Sequence, residues 1–582
     1  MKPQKATITT KTHHFFLFRH CVRSTRLHVK LRDEHNSSNN VNDYLSTTTT
    51  TTSVPDWGVP EKWCTESAIT MVENMGRWLA TQGLLKNTVA QRVQFQVIAD
   101  SSTQRTVDTA WALMKGLADG FQSRNDNNDV NGNGNATTPE TSTGRIIVEG
   151  LGHVFYDPWL FEPYKKDPFF FPKEEPPPPN DTPNQKEKKD DSQQPGLCSA
   201  NYTRKELKQW IKQRLANLPP PSSIPDALEF FMNVAGMGTA GNLTERFPSQ
   251  PKMAHDLKHM EGAPALLKHM AQLAFYSRAG NASQIFLPHM TNAELYQRLL
   301  PWVYWTRDVA QINNPREATF GAVWARALAL ILDQGHLHRT TDEDEDANSL
   351  TTVTIVVGHD GDLDAIATAL GVRWKAPPPY QPQSAEYLVT PPVSGIHAKH
   401  TIRTGIPNRM DMSFLCPVYS MLEDDEQDDA WVWNSSGILE QSPLIWRNSK
   451  TAARWKTSSD GVSTYLEGEN VIDSLQQQVL QTLAPYTGAT TCWEATESFL
   501  LQQEQTLPPL GSTTSMLATS LAIVGWSLLG LCAAAWFWTR RRLGGSAYTG
   551  IQSHEDDDEG EGVFEDSASS KVNGSLQLAE LS

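Results

Sequence analysis

Two short apolar runs, far apart along the chain, each end in a cluster of charged residues. The first run, Phe-Phe-Leu-Phe at 15–18, leads into Arg-His-Cys-Val-Arg, and the second, Thr-Ile-Val-Val at 354–357, leads into Gly-His-Asp. Apolar runs of this length, bounded by polar residues, predict buried strands. Because the active sites of open α/β sheets lie beyond the carboxyl ends of the strands, the two charged clusters are candidate site residues.

Between these runs, the spacing of apolar residues predicts helices. Apolar side chains recur at three- and four-residue spacing over 67–85, which is the period of a helix with one buried face. Helical patterns also cover 106–117, which continues from Arg105, and 318–332, which is strongly apolar. Two further helix-rich stretches, 202–240 and 254–275, predict a smaller α-helical lobe. Strands that alternate with helices favour an α/β fold with a mainly parallel sheet flanked by helices.

Three internal stretches have compositions that leave little apolar surface to bury. Residues 121–145 are rich in Asn and Gly, residues 172–196 in Pro, Lys and Asp, and residues 340–349 in acidic side chains. Such segments do not offset the entropy lost on ordering. We therefore predict low-complexity insertions at the surface of one domain that spans 13–500.

Residues 516–538 form an uncharged apolar stretch of 23 residues. A helix of that length is about 35 Å long, which is enough to span a bilayer. Three arginines at 540–542 follow at once and indicate a cytoplasmic end. The pattern predicts a type I membrane protein with a lumenal or extracellular domain, a stalk at 501–515, one C-terminal transmembrane helix and a disordered acidic tail at 539–582.

Glycosylation motifs and cysteines agree with that orientation. Asn-x-Ser/Thr motifs predict a glycoprotein and begin at Asn36, Asn135, Asn180, Asn201, Asn242, Asn281 and Asn434. Five cysteines precede the span, enough for one or two disulfides whose pairing stays open. The first residues lack the roughly 7–15 apolar positions of a signal peptide, so we expect the natural start to lie upstream.

The tail carries a Tyr-x-x-apolar pattern at Tyr548 and Ile551. Clathrin adaptors bind this pattern, so it predicts sorting to a lysosome or vacuole, an endosome or the plasma membrane. The formal charge of the chain is −16. Such an acidic balance argues against nucleic acid as a partner, because the phosphate backbone repels negative surfaces.

The residue types in the charged clusters suit phosphate chemistry. Arginine is always charged, and its planar fork matches phosphate oxygens. Arg19 and Arg23 flank His20, and a third arginine, Arg105, follows another apolar run at 95–99. Histidine can act as a nucleophile and a carboxylic acid as a proton donor. The clusters therefore predict a phosphate cradle with both catalytic groups.

These motifs resemble the histidine acid phosphatase family, whose signatures are Arg-His-Gly-x-Arg-x-Pro near the start and His-Asp near the end. In the first motif Arg19, His20 and Arg23 match, whereas Cys21 and Thr25 replace the glycine and the proline. The second motif is intact. Three motifs in the family's order make the resemblance more specific than any one of them.

The resemblance covers roughly 13–500, and residues 157–163 are similar to a segment of bacterial periplasmic phytases. It implies an acid phosphatase, phytase-like in outline, that needs no metal or cofactor and acts on a small phosphomonoester. His20 would attack phosphorus to form phosphohistidine, Asp360 would protonate the leaving group, and His359 would add a hydrogen bond or charge. The implied phosphate ligands are Arg19, Arg23 and Arg105.

Cys21, beside the expected nucleophile, leaves two alternatives open. A side chain at a family glycine is strained where the backbone needs a positive φ, which favours a weak or inactive phosphatase-like receptor. As a free thiol among arginines, Cys21 would instead ionise and oxidise easily and modulate the site. A cysteine phosphatase is excluded, because that family needs an arginine six residues after the cysteine and Leu27 stands there.

Overall fold

Strand β1 (Thr10–Arg19) lies inside the sheet of the computed structural model. It pairs in parallel with β7 (Leu350–Gly358) and antiparallel with β9 (Gly395–Arg403). The side chains of residues 15–18 are all fully buried. Because both faces of the strand are covered, its sequence here is a continuous apolar run. The two predicted buried strands are therefore direct neighbours.

The structure describes a large part of the 582-residue chain, and every described residue belongs to the unit Met1–Pro508. The second unit, Pro509–Ser582, lies outside the described residues. The described ranges are 10–25, 57–86, 92–131, 146–161, 204–235, 251–254, 257, 259–282, 285–335, 350–375, 388–421, 431–433 and 436–506.

Within the described ranges, eleven strands form one mixed sheet, in which four of the ten strand pairings are parallel. Besides β1, β7 and β9, its strands are β2 (Arg92–Ala99), β3 (Ile147–Glu149), β4 (Val154–Tyr156), β8 (Val372–Trp374), β10 (Asn408–Pro417), β13 (Leu439–Trp446), β14 (Lys456–Thr457) and β15 (Thr464–Gly468). In the parallel part, β7 pairs with β2, which also pairs with β3 and β4. In the antiparallel part, β9 pairs with β10, which pairs with β13 and β15.

The expectation of a mainly parallel sheet thus holds for only part of the sheet, although the α/β class is confirmed. Strands β9 and β10 are joined by four residues that include Gly405, with φ +77°. A connection this short joins antiparallel neighbours, because a parallel pair needs a crossover of a dozen residues or more. This short connection therefore accounts for the antiparallel pairing of β9 with β10.

Helices α1 (Glu66–Thr81) and α2 (Gln104–Asn131) approach each other closely through glycines. A Cβ atom at Gly116 would overlap the main-chain oxygen of Glu73, and one at Gly76 would overlap the main-chain oxygen of Leu113. A second group of packed helices contains α9 (Pro315–Gln334), α10 (Asp360–Leu370), α12 (Val471–Leu483) and α13 (Thr487–Thr506).

The stretches predicted to form a helical lobe contain helices, and the lobe continues to residue 310. Trp302 and Trp305 are fully buried in it, with ring centroids 5.5 Å apart. Its helices are α4 (Arg204–Asn217), α5 (Ile224–Val234), α6 (Ala263–Ala279), α7 (Asn292–Glu294), the π-helix Leu295–Leu299 and α8 (Leu300–Ala310). The remaining short elements are α3 (Pro158–Phe161), α11 (Ser449–Ala452), β5 (Lys252–Met253), β6 (Met260–Glu261), β11 (Tyr419–Met421) and β12 (Trp431–Trp433).

Two helices extend into segments whose composition predicts irregular chain. Helix α2 continues through the first part of the 121–145 insertion, where Phe121 is buried and its ring centroid lies 5.7 Å from that of Phe95. Burial of this aromatic ring stabilises a stretch that its Asn content disfavours. Helix α13 likewise continues past residue 501 into the predicted stalk.

Two buried histidines face each other across β1 and β9. Nδ1 of His14 lies 3.1 Å from Nε2 of His397, and the His397 ring stacks on Phe16 with centroids 4.5 Å apart. Burial, then the charge of Lys399, lowers the pKa of His397 to about 3. Burial and His397 hold the pKa of His14 well below its ordinary value. Both rings are therefore neutral near neutral pH.

None of the helices within the described ranges is both long and apolar enough to cross a bilayer. The predicted transmembrane segment at 516–538 lies outside those ranges, as does the tail at 539–582. Asn281 is described and exposed, and its glycosylation stays a prediction. The other predicted modification and sorting residues also lie outside the described ranges: Asn36, Asn135, Asn180, Asn201, Asn242, Asn434, Tyr548 and Ile551.

Candidate active site

The predicted motifs meet at the carboxyl ends of three parallel strands. Arg19 stands opposite Gly358 in the β1–β7 register, and the backbone N–H of His20 donates to the Gly358 carbonyl at 2.9 Å. Ala99 at the end of β2 stands opposite Val357. Parallel pairing therefore brings three segments that are distant in sequence to one edge of the sheet, as open α/β folds do.

His20 is buried and has one ring nitrogen occupied. Its Nδ1 lies 2.8 Å from the carbonyl oxygen of Cys21, and because a carbonyl only accepts, Nδ1 carries the proton and Nε2 keeps its lone pair. Burial, then the charges of Arg105 and His359, hold the pKa of His20 well below its ordinary value. The ring is therefore a neutral base with Nε2 available for bonding.

His359 lies beside His20, with ring centroids 5.3 Å apart. Its Nε2 lies 2.8 Å from a carboxylate oxygen of Asp100, and its Nδ1 lies 3.5 Å from Nη2 of Arg105. Burial alone would raise the pKa of Asp100, but hydrogen bonds from His359 and Ser102 lower it. Asp100 is therefore ionised and fixes the orientation of the His359 ring.

The three predicted phosphate ligands lie in this region, and two of them contact the same tyrosine. Arg19 is buried and donates to the Thr390 carbonyl and, at 2.9 Å, to the hydroxyl of Tyr276. The Arg23 guanidinium lies 5.9 Å from the centroid of the Tyr276 ring. Burial, then the charge of Arg23, lowers the pKa of Arg105 to about 10. Like charges are thus concentrated here, and a bound anion would relieve their repulsion.

Asp360 lies between two guanidinium groups. Its Oδ2 is 3.2 Å from Nη2 of Arg19 and 3.6 Å from Nη1 of Arg307, whose Nη2 bonds Asp364 at 2.6 Å. Burial opposes ionisation, but Arg19 and Arg307 hold the pKa of Asp360 well below its usual range. Asp360 is therefore ionised while the arginines have no other anion to neutralise.

Within the described ranges, no group of three or more His, Cys, Asp or Glu side chains is arranged to hold a metal ion. The positive charge described here is that of the Arg19, Arg23, Arg105 and Arg307 side chains. Lys268 of α6 adds to it: burial lowers the pKa of Lys268, Asp360 raises it, and Arg307 lowers it further. The arrangement can bind a dianion and present a nucleophilic nitrogen to it.

Comparison with known proteins agrees with this geometry. The model of the histidine phosphatase superfamily (branch 2) matches residues 12–401. The chain belongs to the histidine phosphatase superfamily. The match confirms the predicted family and includes every residue of the predicted catalytic and phosphate-binding set. None of the curated protein sequences compared with the chain matches it significantly.

Solved structures of phytases share the fold of this chain. The apo phytase of Hafnia alvei aligns with TM-score 0.50 and 15% identity, covering 84% of this chain and 98% of that one. The same phytase with tartrate aligns with TM-score 0.50 and 15% identity, covering 82% of this chain and 98% of that one. The Citrobacter braakii phytase aligns with TM-score 0.49 and 18% identity, also covering 82% of this chain and 98% of that one. At these identities the first two alignments establish the fold alone.

Cys21, where the histidine phosphatase signature has glycine, forms a disulfide with Cys64. The expectation of a free, easily oxidised thiol is therefore wrong, and so is the expectation of strain, since Cys21 is not among the residues with positive φ. A backbone bridge between Arg23 and Cys64 brings the two segments together. Cys492 is also disulfide-bonded, while Cys416 is free and buried.

The second departure, Thr25, also has a local replacement for the missing proline. The Thr25 carbonyl accepts a hydrogen bond from the Trp57 indole at 3.0 Å, which anchors the exit of the loop.

The phytase-like segment at 157–163 begins next to the end of β7. Asp157 is buried, and a Cβ atom added at Gly358 would lie 3.0 Å from the Phe161 ring. These contacts place α3 against the end of β7.

The side chains that sequence reasoning missed mostly come from the helical lobe. Their sequence signal is weak, because single charged residues in helices are usually solvated. The sequence contains one such signal, because Arg307 interrupts a run of apolar residues in α8. The structure shows its side chain to be buried, and arginine is rarely buried unless it is paired. The missed residues are Asp100, Lys268, Tyr276, Arg307 and Asp364.

Proposed function

We propose that this protein is an acid phosphomonoesterase that works through a phosphohistidine intermediate. The observation that carries the proposal is the state of His20, whose Nδ1 is held by the Cys21 carbonyl while Nε2 remains available among three arginines. A neutral imidazole beside guanidinium groups is suited to attack a phosphorus atom whose oxygens those groups bind.

In the first step, Nε2 of His20 forms a bond to phosphorus while the ester P–O bond breaks. Asp360 transfers its proton to the departing alkoxide, which leaves as an alcohol. In the second step, a water oxygen attacks phosphorus, the N–P bond breaks, and the Asp360 carboxylate takes the water proton. Arg19, Arg23 and Arg105 stabilise the charge on the equatorial oxygens in both steps.

The proton on Asp360 depends on what the arginines are bound to. In the free site they hold its pKa well below the usual range, so the donor form is scarce. A phosphate dianion neutralises part of that positive charge and raises the pKa, because nearby opposite charge favours the ionised form and its loss disfavours it. We therefore expect turnover to be greatest at acid pH and to fall as pH rises.

The test uses the full chain, produced in a secretory host and purified in mild detergent. Hydrolysis of p-nitrophenyl phosphate is measured from pH 3 to 8, with and without EDTA. His20→Ala should lose at least about a thousandfold in kcat, as expected when a nucleophile is removed. His289→Ala is the matched control, because His289 is exposed.

Quenching turnover of radiolabelled p-nitrophenyl phosphate with alkali, in which phosphohistidine is stable, should trap radiolabelled phosphate on the unaltered protein and not on His20→Ala. A folded protein that binds phosphate without turnover would instead favour the receptor alternative. If activity is present, a panel of phytate, sugar phosphates, phosphorylated glycans and nucleotides identifies the substrate. Phytate is included because the Hafnia alvei neighbour is a phytase.

We also propose that the catalytic domain faces the lumen or the cell exterior. The uncharged stretch at 516–538 and the arginines that follow it support this orientation. Protease treatment of intact vesicles checks it. Cleavage of the tail at 539–582 alone is the expected result, and cleavage of the catalytic domain from the cytoplasmic side contradicts it.

A further inference from the structure

Tyr276 of the helical lobe contacts two of the three arginines in the candidate active site. Its hydroxyl accepts a hydrogen bond from Nη2 of Arg19 at 2.9 Å. The guanidinium carbon of Arg23 lies 5.9 Å from the centroid of its ring, which is within the range of a cation–π contact. One buried side chain thus reaches two of the proposed phosphate ligands, with its hydroxyl and with its ring.

The helix end that carries Tyr276 is tied down by several hydrogen bonds. Arg278, two residues further along α6, donates to four main-chain carbonyls at 2.8–3.0 Å, those of Ala274, Phe286, Leu287 and Met290. The Ser67 hydroxyl of α1 donates to the Gly280 carbonyl at 2.7 Å. A side chain on a backbone fixed in this way can in turn fix the groups that it contacts.

Arg19 uses only some of its donors on protein groups. A guanidinium has five N–H donors. Nη1 donates to the Thr390 carbonyl, while Nη2 donates to Tyr276 and lies 3.2 Å from Oδ2 of Asp360. Nε is buried without a hydrogen-bond partner in the described part of the chain. The carbonyl and the hydroxyl therefore orient the guanidinium plane and leave Nε–H for a phosphate oxygen.

The Tyr276 hydroxyl orients Arg19 without neutralising its charge. A carboxylate such as Asp360 cancels part of the positive charge that a phosphate needs. In the proposed reaction Asp360 carries a proton before the leaving group departs, and a protonated Asp360 attracts Arg19 less. A tyrosine hydroxyl and a main-chain carbonyl are uncharged acceptors, so the bonds from Arg19 to Tyr276 and Thr390 do not depend on that proton.

We propose that Tyr276 is a positioning residue, which holds Arg19 and Arg23 in the arrangement that binds phosphate. The hydroxyl sets the orientation of Arg19, and the ring sets that of Arg23. The inference rests on the proposed function, because it takes the two arginines as phosphate ligands. It concerns phosphate affinity, however, which does not require that a bond be broken. Phosphate binding would then depend on contact between the helical lobe and the loop that follows β1.

The experiment measures the Kd of inorganic phosphate for the full-length protein by isothermal titration calorimetry at constant ionic strength. Tyr276→Phe keeps the ring and should raise the Kd about five- to tenfold, because a hydrogen bond from a charged donor is lost. Tyr276→Leu also removes the ring and should raise it about two- to fivefold further. Tyr486→Phe is the matched control, because the Tyr486 hydroxyl donates to the Asn313 carbonyl at 2.9 Å and contacts none of the proposed phosphate ligands.

An unchanged Kd in Tyr276→Phe would overturn the proposal, even if that variant unfolds at a lower temperature, since only a structural role would then remain. A protein that binds phosphate without hydrolysing p-nitrophenyl phosphate would refute the proposed phosphatase, whereas weaker binding by Tyr276→Phe would still support the role of Tyr276. Absence of phosphate binding by the unaltered protein would overturn both. If Tyr276→Leu does not fold, Tyr276→Phe decides the question, because phenylalanine has nearly the same shape.

A second measurement asks whether Tyr276 acts through Arg19. Where turnover is present, Tyr276→Phe should lower kcat/KM less in an Arg19→Met background than in the unaltered protein, because the hydrogen bond is already missing there. Equal effects in the two backgrounds would contradict the positioning of Arg19 by the hydroxyl.

Discussion

Nε2 of His359 lies 2.8 Å from a carboxylate oxygen of Asp100, within a few ångströms of the proposed nucleophile. The carboxylate fixes which face of the ring is presented to the phosphate. We expect Asp100→Asn to lower kcat about ten- to hundredfold, since a hydrogen bond to a charged group contributes about 1.5–3 kcal/mol. Steady-state kinetics measure it, and Asp108→Asn on α2, the helix that follows Asp100, should have little effect, because Asp108 bonds Gln104 there. Equal losses in both variants would contradict the role of Asp100.

Replacing Arg307 by methionine should shift the pH profile of kcat to higher pH. Arg307 is one of two guanidinium groups that depress the pKa of Asp360, so its removal raises that pKa. Because the proton-donating form of Asp360 is lost as pH rises through its pKa, the fall in kcat should move to higher pH. Arg307→Lys keeps the charge and should move the profile less. An unchanged pH profile in Arg307→Met would show that loss of the Asp360 proton does not cause the fall in kcat at high pH.

The Cys21–Cys64 disulfide should stabilise the fold without taking part in the reaction. The bond joins residues that are 43 positions apart, and closing a loop of that length in the unfolded chain corresponds to about 4 kcal/mol. The double variant Cys21→Gly/Cys64→Ala restores the family glycine and should unfold at a lower temperature while retaining kcat. A large loss of kcat in a folded double variant would instead assign the disulfide a part in shaping the site.

Glycine at position 116 should be required for the packing of α1 against α2. An added Cβ there would overlap the main-chain oxygen of Glu73, and backbone cannot move aside as a flexible side chain can. We expect Gly116→Ala to lower the free energy of unfolding by about 1–3 kcal/mol. Gly361→Ala is the control, because an added Cβ there meets nothing within 4 Å. Chemical denaturation compares the two variants.

The free energy of unfolding should decrease as the pH is lowered, because of the two buried histidines on β1 and β9. Their folded-state pKa values lie below the ordinary 6.5, about 3 for His397 and well below 6.5 for His14. The unfolded chain therefore takes up protons first as pH falls. At His397 stability is lost from about pH 6.5 down to about pH 3, by about 1.4 kcal/mol per pH unit. His14 adds a loss in the same direction. His14→Leu/His397→Leu should flatten this dependence, and exposed His289→Leu should not. Parallel curves for all three proteins would contradict the assignment.

The local parts of the candidate site could be predicted from the sequence, because the proposed catalytic residues directly follow apolar strands. Arg19, His20 and His359 each stand within two residues of such a run. The helical lobe contributes Arg307 and Lys268 through tertiary packing, which leaves almost no periodic signal. The Cys21–Cys64 pairing was equally hidden, since it depends on how the loop after β1 meets the start of α1. The antiparallel pairs that involve β9 and β10 were hidden as well, because the hydrophobic pattern does not specify which strands pair.

The Cys21–Cys64 bond also makes the placement of the proposed nucleophile independent of the peptide chain that joins the two cysteines. The cysteine Cα atoms are 5.8 Å apart, so a covalent bond holds the end of β1 next to the start of α1. A proteolytic cut between the two cysteines would therefore leave both pieces attached to each other for as long as the bond stays oxidised.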